Sequence, residues 1–377
     1  MGKTGRLQGD SKLWRNLFML ASLALFTAVF IYGPTILLDK QGNDAETIMD
    51  LATTGKFDKT EGGYYYMAQV AMILPSSIQK IIVFILGSLF IYRLFRDLRT
   101  PIYTSTALLL SVAPVFMFLT IFVKDTTMPL LTIFILHILQ GQRSIHTRIG
   151  IILLIYAGYG VFFRQYYLLI AMIFFGIYFL SRTRPRWLLF YAPIIIAALL
   201  LIPSNIFPEL QGSRDLFNAR NSSIRSAFFN YVPPTDLASF IVNYVYAAAR
   251  LNLSPLFYLS IKEVFLFINN ITFMILMFFG MRNTDDKIRY PAFLFLSHIL
   301  VLIIFEPDLG SYLRHSSSAL LYLVPALVAL DRRFLMKLVP MRRFKRPHAS
   351  ISNRRRPPSP ARTLQAVGPD SNMRRSS

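Results

Sequence analysis

Ten apolar runs set the limits on what this chain can fold into. They cover approximately residues 14–37, 75–92, 102–122, 127–140, 149–163, 166–180, 187–202, 264–280, 291–305 and 316–330. The first is long enough to cross the ~30 Å hydrocarbon core of a bilayer, whereas several others have about 15 residues, under the usual ~17 to 25. Of the 377 residues 54% are hydrophobic and 16% charged, where a soluble domain carries about 25% charged residues. The expected fold is all-α: a polytopic membrane protein of about ten transmembrane helices. Residues 1–13 would form a cytoplasmic N-terminus, 14–331 the transmembrane helical domain and 332–377 a tail. Lys3, Arg6, Lys12 and Arg15 precede the first run, and Tyr32-Gly33-Pro34 does not look like a cleavage site. The run therefore reads as a retained signal anchor.

The formal net charge of +21 is informative through its distribution. If ten spans alternate from a cytoplasmic N-terminus, the cytoplasmic segments collect 28 Lys and Arg against 6 Asp and Glu, and the outer segments 12 against 13. That asymmetry is what the positive-inside rule requires, and it assigns both termini to the cytoplasm. The tail holds 13 Lys and Arg and one acid after Asp331. With so few apolar residues it should be disordered and held against anionic lipids. No nucleic-acid partner is expected.

Two outer loops are long, 38–74 and 203–263. The first contains Asn43 to Gly55, which reads as a short amphipathic helix with Asn43 as cap, Glu46 three residues on and Gly55 as stop. Ala45, Ile48, Met49 and Ala52 would form its apolar face, with Glu46 and Asp50 on the other. Tyr64 to Gln69 reads as a second interfacial helix with an aromatic belt. In the second loop Leu237, Phe240, Ile241, Tyr244 and Ala248 make an apolar stripe. That segment reads as an interfacial helix roofing the bundle or, functionally, as a lid or acceptor groove.

Ionisable groups at bilayer depth cost at least a few kcal/mol each, so those beside apolar runs are informative. Lys124-Asp125, Arg164, Glu306-Pro307-Asp308 and Arg314-His315 all fall on the outer side, with Asp44, Glu46 and Asp50 of the opening loop. Each has a plain structural explanation too. Asp125 could cap a helix with Pro129 in its first turn, Arg164 could snorkel to headgroups, Glu46 could be the capping-box partner of Asn43, and Asp44 could answer the helix dipole. His137 and His298, each alone within an apolar run, are expected to make helix-to-helix hydrogen bonds.

The absence of cysteine excludes disulfides, thiolate metal sites and a cysteine nucleophile. There is no Gly-x-x-x-x-Gly-Lys, no His-Glu-x-x-His and no Gly-x-Ser-x-Gly, so nucleotide hydrolysis, zinc proteolysis and acyl-hydrolase chemistry lack their usual parts. A lipid-linked sugar supplies its own activated leaving group. Transfer from a polyprenyl phosphate or diphosphate needs a carboxylate to take the acceptor proton and fixed positive charge for the departing phosphate. Both residue types are present on the outer side.

In order and sidedness these residues resemble the multi-span glycosyltransferases of the C-type fold, which use polyprenyl-linked donors. Asp44-Ala45-Glu46 with Ala52 and Gly55, then Tyr64 to Leu74, looks like that family's first outer loop. Lys124-Asp125-Thr126-Thr127-Met128-Pro129 is similar to its second outer turn. Arg314-His315 before Leu321-Tyr322-Leu323-Val324-Pro325 resembles its late Arg-aromatic motif, with His in place of the aromatic residue.

The resemblance implies Asp44 or Glu46 as catalytic base, the family's usual Asp-Glu being Asp-Ala-Glu here. It implies Lys124, Arg164, Arg314 and His315 as donor phosphate-binding residues and Asp125 as a ligand for metal or diphosphate. No cofactor is required, although the acids would admit a divalent metal ion. The partners would be a polyprenyl-linked sugar donor and a glycan or lipid acceptor, at a bacterial inner (cytoplasmic) membrane, in surface polysaccharide synthesis. Similar residues occur in the polymerases that join lipid-linked repeat units, so transferase and polymerase both stay open. The alternative from another class is a transporter or flippase for lipid-linked sugar. Charges gathered at one face argue against it, because alternating access needs groups near the bilayer centre.

Overall fold

The computed structural model describes residues 3–55, 63–201, 203–220 and 227–338. Regular structure among these is helical: α1 (Lys3–Thr54), α2 (Gly63–Ile73), α3 (Ser76–Phe95), α4 (Pro101–Met117), α5 (Thr127–Gln140), α6 (Ile145–Phe162), α7 (Tyr166–Arg182), α8 (Pro185–Leu200), α9 (Ile206–Arg220), α10 (Leu237–Asn252), α11 (Ile261–Met281), α12 (Asp286–Phe305), α13 (Leu309–Ser318) and α14 (Val324–Leu338). Tight 3-10 turns stand at Lys124–Thr126, Ser254–Leu256 and Leu320–Leu323. An isolated antiparallel bridge pairs Ala227 with Asp308.

Among the described residues five segments are long and apolar enough to cross a membrane: Lys12–Gly33, Ser76–Phe95, Ile145–Phe162, Glu263–Met281 and Asp286–Phe305. α4 and α7 are apolar but shorter. α5 has 14 residues, a rise of about 21 Å against a core of ~30 Å. The helices thus have the character of a membrane protein, while the expected ten spans are not reached among the described residues. Their outward side chains match a lipid solvent, since Leu154, Met172 and Phe175 are exposed while the helical backbone satisfies its own hydrogen bonds. α12 is buried along most of its length and packs against α5, α7, α9, α10, α11 and α13. An apolar helix buried on nearly all sides belongs at the centre of the bundle.

Three local expectations change. α1 does not end near residue 37; it continues to Thr54, which puts Asn43 inside a helix and removes the capping box with Glu46. Gly55 does stop it, at φ 64° with its N–H donating to the Leu51 carbonyl at 3.1 Å. The last apolar run is not one helix. Ser316, Ser317 and Ser318 turn their hydroxyls back onto the carbonyls of Leu313, Arg314 and His315, and Pro325 cannot donate to the preceding turn, so the chain breaks at Ala319 before α14. α14 itself passes Asp331 and ends at Leu338.

Within the bundle His298 pairs with the Tyr156 hydroxyl at 2.7 Å, and Tyr156 pairs with Tyr322 at 2.8 Å. The helix-to-helix bond expected of His298 is therefore present. His137 is exposed on α5 and makes no such bond among the described residues. Where α3 turns into α4, Asp331 accepts from the backbone N–H groups of Arg99 (2.7 Å) and Thr100 (3.0 Å), tying α14 to the start of α4. Residues 339–377, and with them nearly all of the basic tail, lie outside the described residues.

Candidate functional site

Three chain junctions bring their charged residues to one place. The turn before α5 supplies Asp125, the α6–α7 turn supplies Arg164, and the α12–α13 segment supplies Glu306, Arg314 and His315. Arg164 Nη2 lies 2.8 Å from Asp125 Oδ1, Arg314 Nε 3.3 Å from Asp125 Oδ2, and His315 Nε2 3.4 Å from Asp125 Oδ1. Arg164 Nη1 is 2.8 Å from His315 Nε2, whose Nδ1 meets Glu306 Oε1 in a very short contact. His315 Nε2 thus faces both the Arg164 guanidinium and the Asp125 carboxylate, while Nδ1 faces Glu306.

Local chain features explain the geometry. Asp125 sits in the 3-10 turn Lys124–Thr126, and α5 then starts without a side-chain cap. The carboxylate serves the bundle rather than its own helix. Arg164 does not snorkel: its side chain is only 10% exposed, against 2% for Asp125. Asp308 caps α13 by accepting from the Ser311 N–H at 3.0 Å, which sets Arg314 in the middle and His315 in the last turn of a ten-residue helix. Burial opposes ionisation of Asp125, but Arg164, His315 and Arg314 hold its carboxyl well below the usual range. Burial likewise works against Glu306, and His315 with its hydrogen bond brings that carboxyl below its usual value. Burial works against the Arg164 charge as well, and Asp125 holds the guanidinium well above its usual value.

The first long loop packs against this cluster. Ile48 of α1 is buried with Met67 and Ala68 of α2, against Phe122 and Phe163, the residues that precede Lys124-Asp125 and Arg164. Gly63 stands so close to the Phe163 carbonyl that a Cβ there would meet its oxygen at 2.6 Å. Lys124 lies beside the ion cluster, its Nζ 3.6 Å from the centroid of the Tyr64 ring. Glu46 is exposed on the same part of α1 and makes no ion pair among the described residues. The Asp44 side chain lies outside the described residues, although its place in α1 is given.

Sequence reasoning gave Glu306 no role and missed Arg214 altogether. Arg214 is 1% exposed on α9. It donates to the carbonyls of Ile304 (2.8 Å), Ile303 (2.5 Å) and Glu306 (3.1 Å), the orphan acceptors at the end of α12. Burial pulls its guanidinium down to about 10, still charged at neutral pH. Asn218 binds the carbonyls of Phe228 and Pro307, so the second long loop clamps the segment that carries Glu306. An arginine next to Asp215 in a polar loop gives no pattern by which this could have been read. α10 also departs from its expected face: Asn243, Ala247 and Leu251 are buried, while Ile241, Val242 and Val245 are 45 to 62% exposed. α10 thus buries an amide and leaves part of its apolar surface outside the bundle.

No family model, curated protein or solved structure matches this chain. A functional reading therefore rests on the cluster and on the short motifs. The described residues do not fit a metal ion at Asp125, whose neighbours are two guanidinium groups and an imidazole. Among them no group of three or more His, Cys, Asp or Glu could hold one. What the arrangement can do is hold positive charge in a water-poor place and keep it oriented. Arg314, with 27% of its side chain exposed, is the member of the cluster most open to a ligand.

Proposed function

We propose that the protein transfers a sugar or oligosaccharide from a polyprenyl-linked donor at the outer face of a bacterial inner membrane, in surface polysaccharide synthesis, as a glycosyltransferase or repeat-unit polymerase. The observation that carries this reading is the meeting of Asp125, Arg164, Arg314 and His315, residues from separate junctions, in one cluster. In the reaction the acceptor hydroxyl oxygen bonds to the anomeric carbon, the bond from that carbon to the phosphate oxygen breaks, and the phosphate leaves with the electron pair. Arg314, with Lys124 at the edge, receives the developing phosphate charge. Asp125 is a positioning residue that aims Arg164 and Arg314, and Glu306 does the same for His315.

The acceptor proton goes to a carboxylate, Asp44 or Glu46, on the part of α1 that packs beside the cluster. Asp44→Asn and Glu46→Gln cells separate the two. Loss of polymer in one, with normal protein level, names the base; wild-type polymer in both removes α1 from the chemistry. The transporter reading has less support, because the Tyr156, His298 and Tyr322 chain inside the bundle is uncharged and bonds to itself.

A further inference from the structure

The end of the bundle opposite the ion cluster has a charged feature of its own. α7 starts just after Arg164 and reaches Arg182 as the last of its 17 residues, a rise of about 25 Å. There the α7–α8 connection meets the α11–α12 connection. Arg182 donates through Nε to the Tyr290 hydroxyl and through Nη2 to Asp286 Oδ2, both at 2.7 Å. Arg289 Nη2 donates to Asp286 Oδ1 at 2.6 Å. Two guanidinium groups thus share one carboxylate and keep a surplus of positive charge. The neighbouring acid, Asp285, caps α12 by accepting from the Lys287 N–H. Arg184, Arg186, Arg282 and Lys287 are exposed in the same two connections.

An excess of Lys and Arg at one end of a bundle can serve orientation alone. Orientation needs no fixed geometry, and Arg182 has one. Its Nε and Nη2 are held, while Nη1 makes no hydrogen bond among the described residues and 43% of the side chain is exposed. A guanidinium fixed in this way presents its remaining N–H groups to an anion in a set direction.

The surface of α7 says which anion. Leu168, Met172, Phe175 and Phe179 are exposed along it, and with Arg182 they follow at alternating steps of four and three residues, which places all five on one stripe. A cation at the end of an apolar stripe about 21 Å long matches a molecule with an anionic head and acyl chains. A soluble phosphate would leave the stripe unused. Trp187, a few residues beyond Arg182, is exposed too, and tryptophan favours the headgroup level of a bilayer. A zwitterionic lipid fits less well, because its ammonium meets the surplus positive charge.

We propose that Arg182, backed by Arg289, binds the phosphate of an anionic phospholipid whose acyl chains lie along α7. This site is independent of the transferase reading.

The test uses the full chain carrying Trp14→Phe, so that Trp187 is the remaining tryptophan, in phosphatidylcholine nanodiscs to which brominated lipid is added. Brominated phosphatidylglycerol should quench Trp187 at a lower mole fraction than brominated phosphatidylcholine. Arg182→Gln and Arg289→Gln should each cut that preference roughly fivefold, the share of one arginine beside an anionic headgroup. Unfolding temperatures are read alongside, and either variant that folds decides the matter. Lys80→Gln, which removes an exposed cation from α3, should leave the preference unchanged. Equal quenching by the two lipids, or a preference untouched by both arginine substitutions, overturns the proposal. So does a preference lowered as much by Lys80→Gln, which would make it a property of the whole charged surface. Stronger suppression by inorganic phosphate than by chloride at equal ionic strength would give the site to a soluble anion and overturn it as well.

Discussion

Arg164 and Asp125, on two different helix junctions, meet at 2.8 Å with 10% and 2% of their side chains exposed. A buried pair of this kind is weak evidence for stability, because desolvation offsets much of the attraction, but removing one partner strands the other. Asp125→Asn leaves two guanidinium groups facing a neutral amide. We expect a loss of about 3–5 kcal/mol, read as a lower unfolding temperature in detergent. Asp125→Asn combined with Arg164→Met should lose less than Asp125→Asn alone. A double variant whose loss equals the sum of the losses of Asp125→Asn and Arg164→Met would show that the two residues are not coupled.

Acid should weaken the cluster. Asp125 and Glu306 both have folded-state values below their usual 3.8 and 4.5. Stability from a depressed carboxyl is fully present above the unfolded value and is lost as pH falls through the folded one. The groups facing them are Arg164, Arg314 and His315 for Asp125, and His315, Ser311 and Arg164 for Glu306. The carboxyl contribution should thus be level above about pH 5 and fall below about pH 4. Unfolding temperatures of wild type and Glu306→Gln, compared from pH 3 to 8, measure it. A Glu306 contribution that vanishes above pH 5 would contradict the assignment.

Arg214→Met should free the end of α12. Three carbonyls lose their donor, at about 1–3 kcal/mol for a buried group left unsatisfied. Hydrogen exchange at Glu306, Asp308 and Leu309 should quicken more than at the Asp331 contact with Thr100. Equal change at both would mean general unfolding rather than loss of a local clamp.

Gly63→Leu should push α2 from the α6–α7 turn, because even a Cβ comes within 2.6 Å of the Phe163 backbone oxygen. Since Arg164 follows Phe163, the variant should lose transfer activity as well as the contact between Lys124 and Tyr64. Cross-linking of cysteines placed at Tyr64 and Lys124 follows that contact directly; an undiminished yield would show that α2 has not moved.

Much of the site is legible in the sequence. Asp125, Arg164, Arg314 and His315 were singled out because charge beside apolar runs is costly, and alternating spans placed them at one end of the bundle. Glu306 was noticed for the same reason but had no partner until α13 turned His315 onto it. What could not be read was set by tertiary contact. The continuation of α1 past residue 37 puts Asn43 inside a helix, against its local capping pattern. Three successive serines break the last apolar run, which hydropathy alone treats as continuous. α10 has an amphipathic period, but its buried side contains Asn243, and only the bonds Asn243 makes to Val232 and Gln211 show why.

The central claim is that the cluster serves a departing phosphate. Arg314 tests it best, being the most exposed member of the cluster, with 27% of its side chain open. Isolated membranes would be assayed for movement of labelled sugar from the lipid-linked donor into polymer, with Arg314→Ala at normal protein level and near-normal unfolding temperature. Transfer should fall roughly 10²-fold or more, the effect of removing one charge-stabilising donor. Transfer at the wild-type rate would contradict the claim.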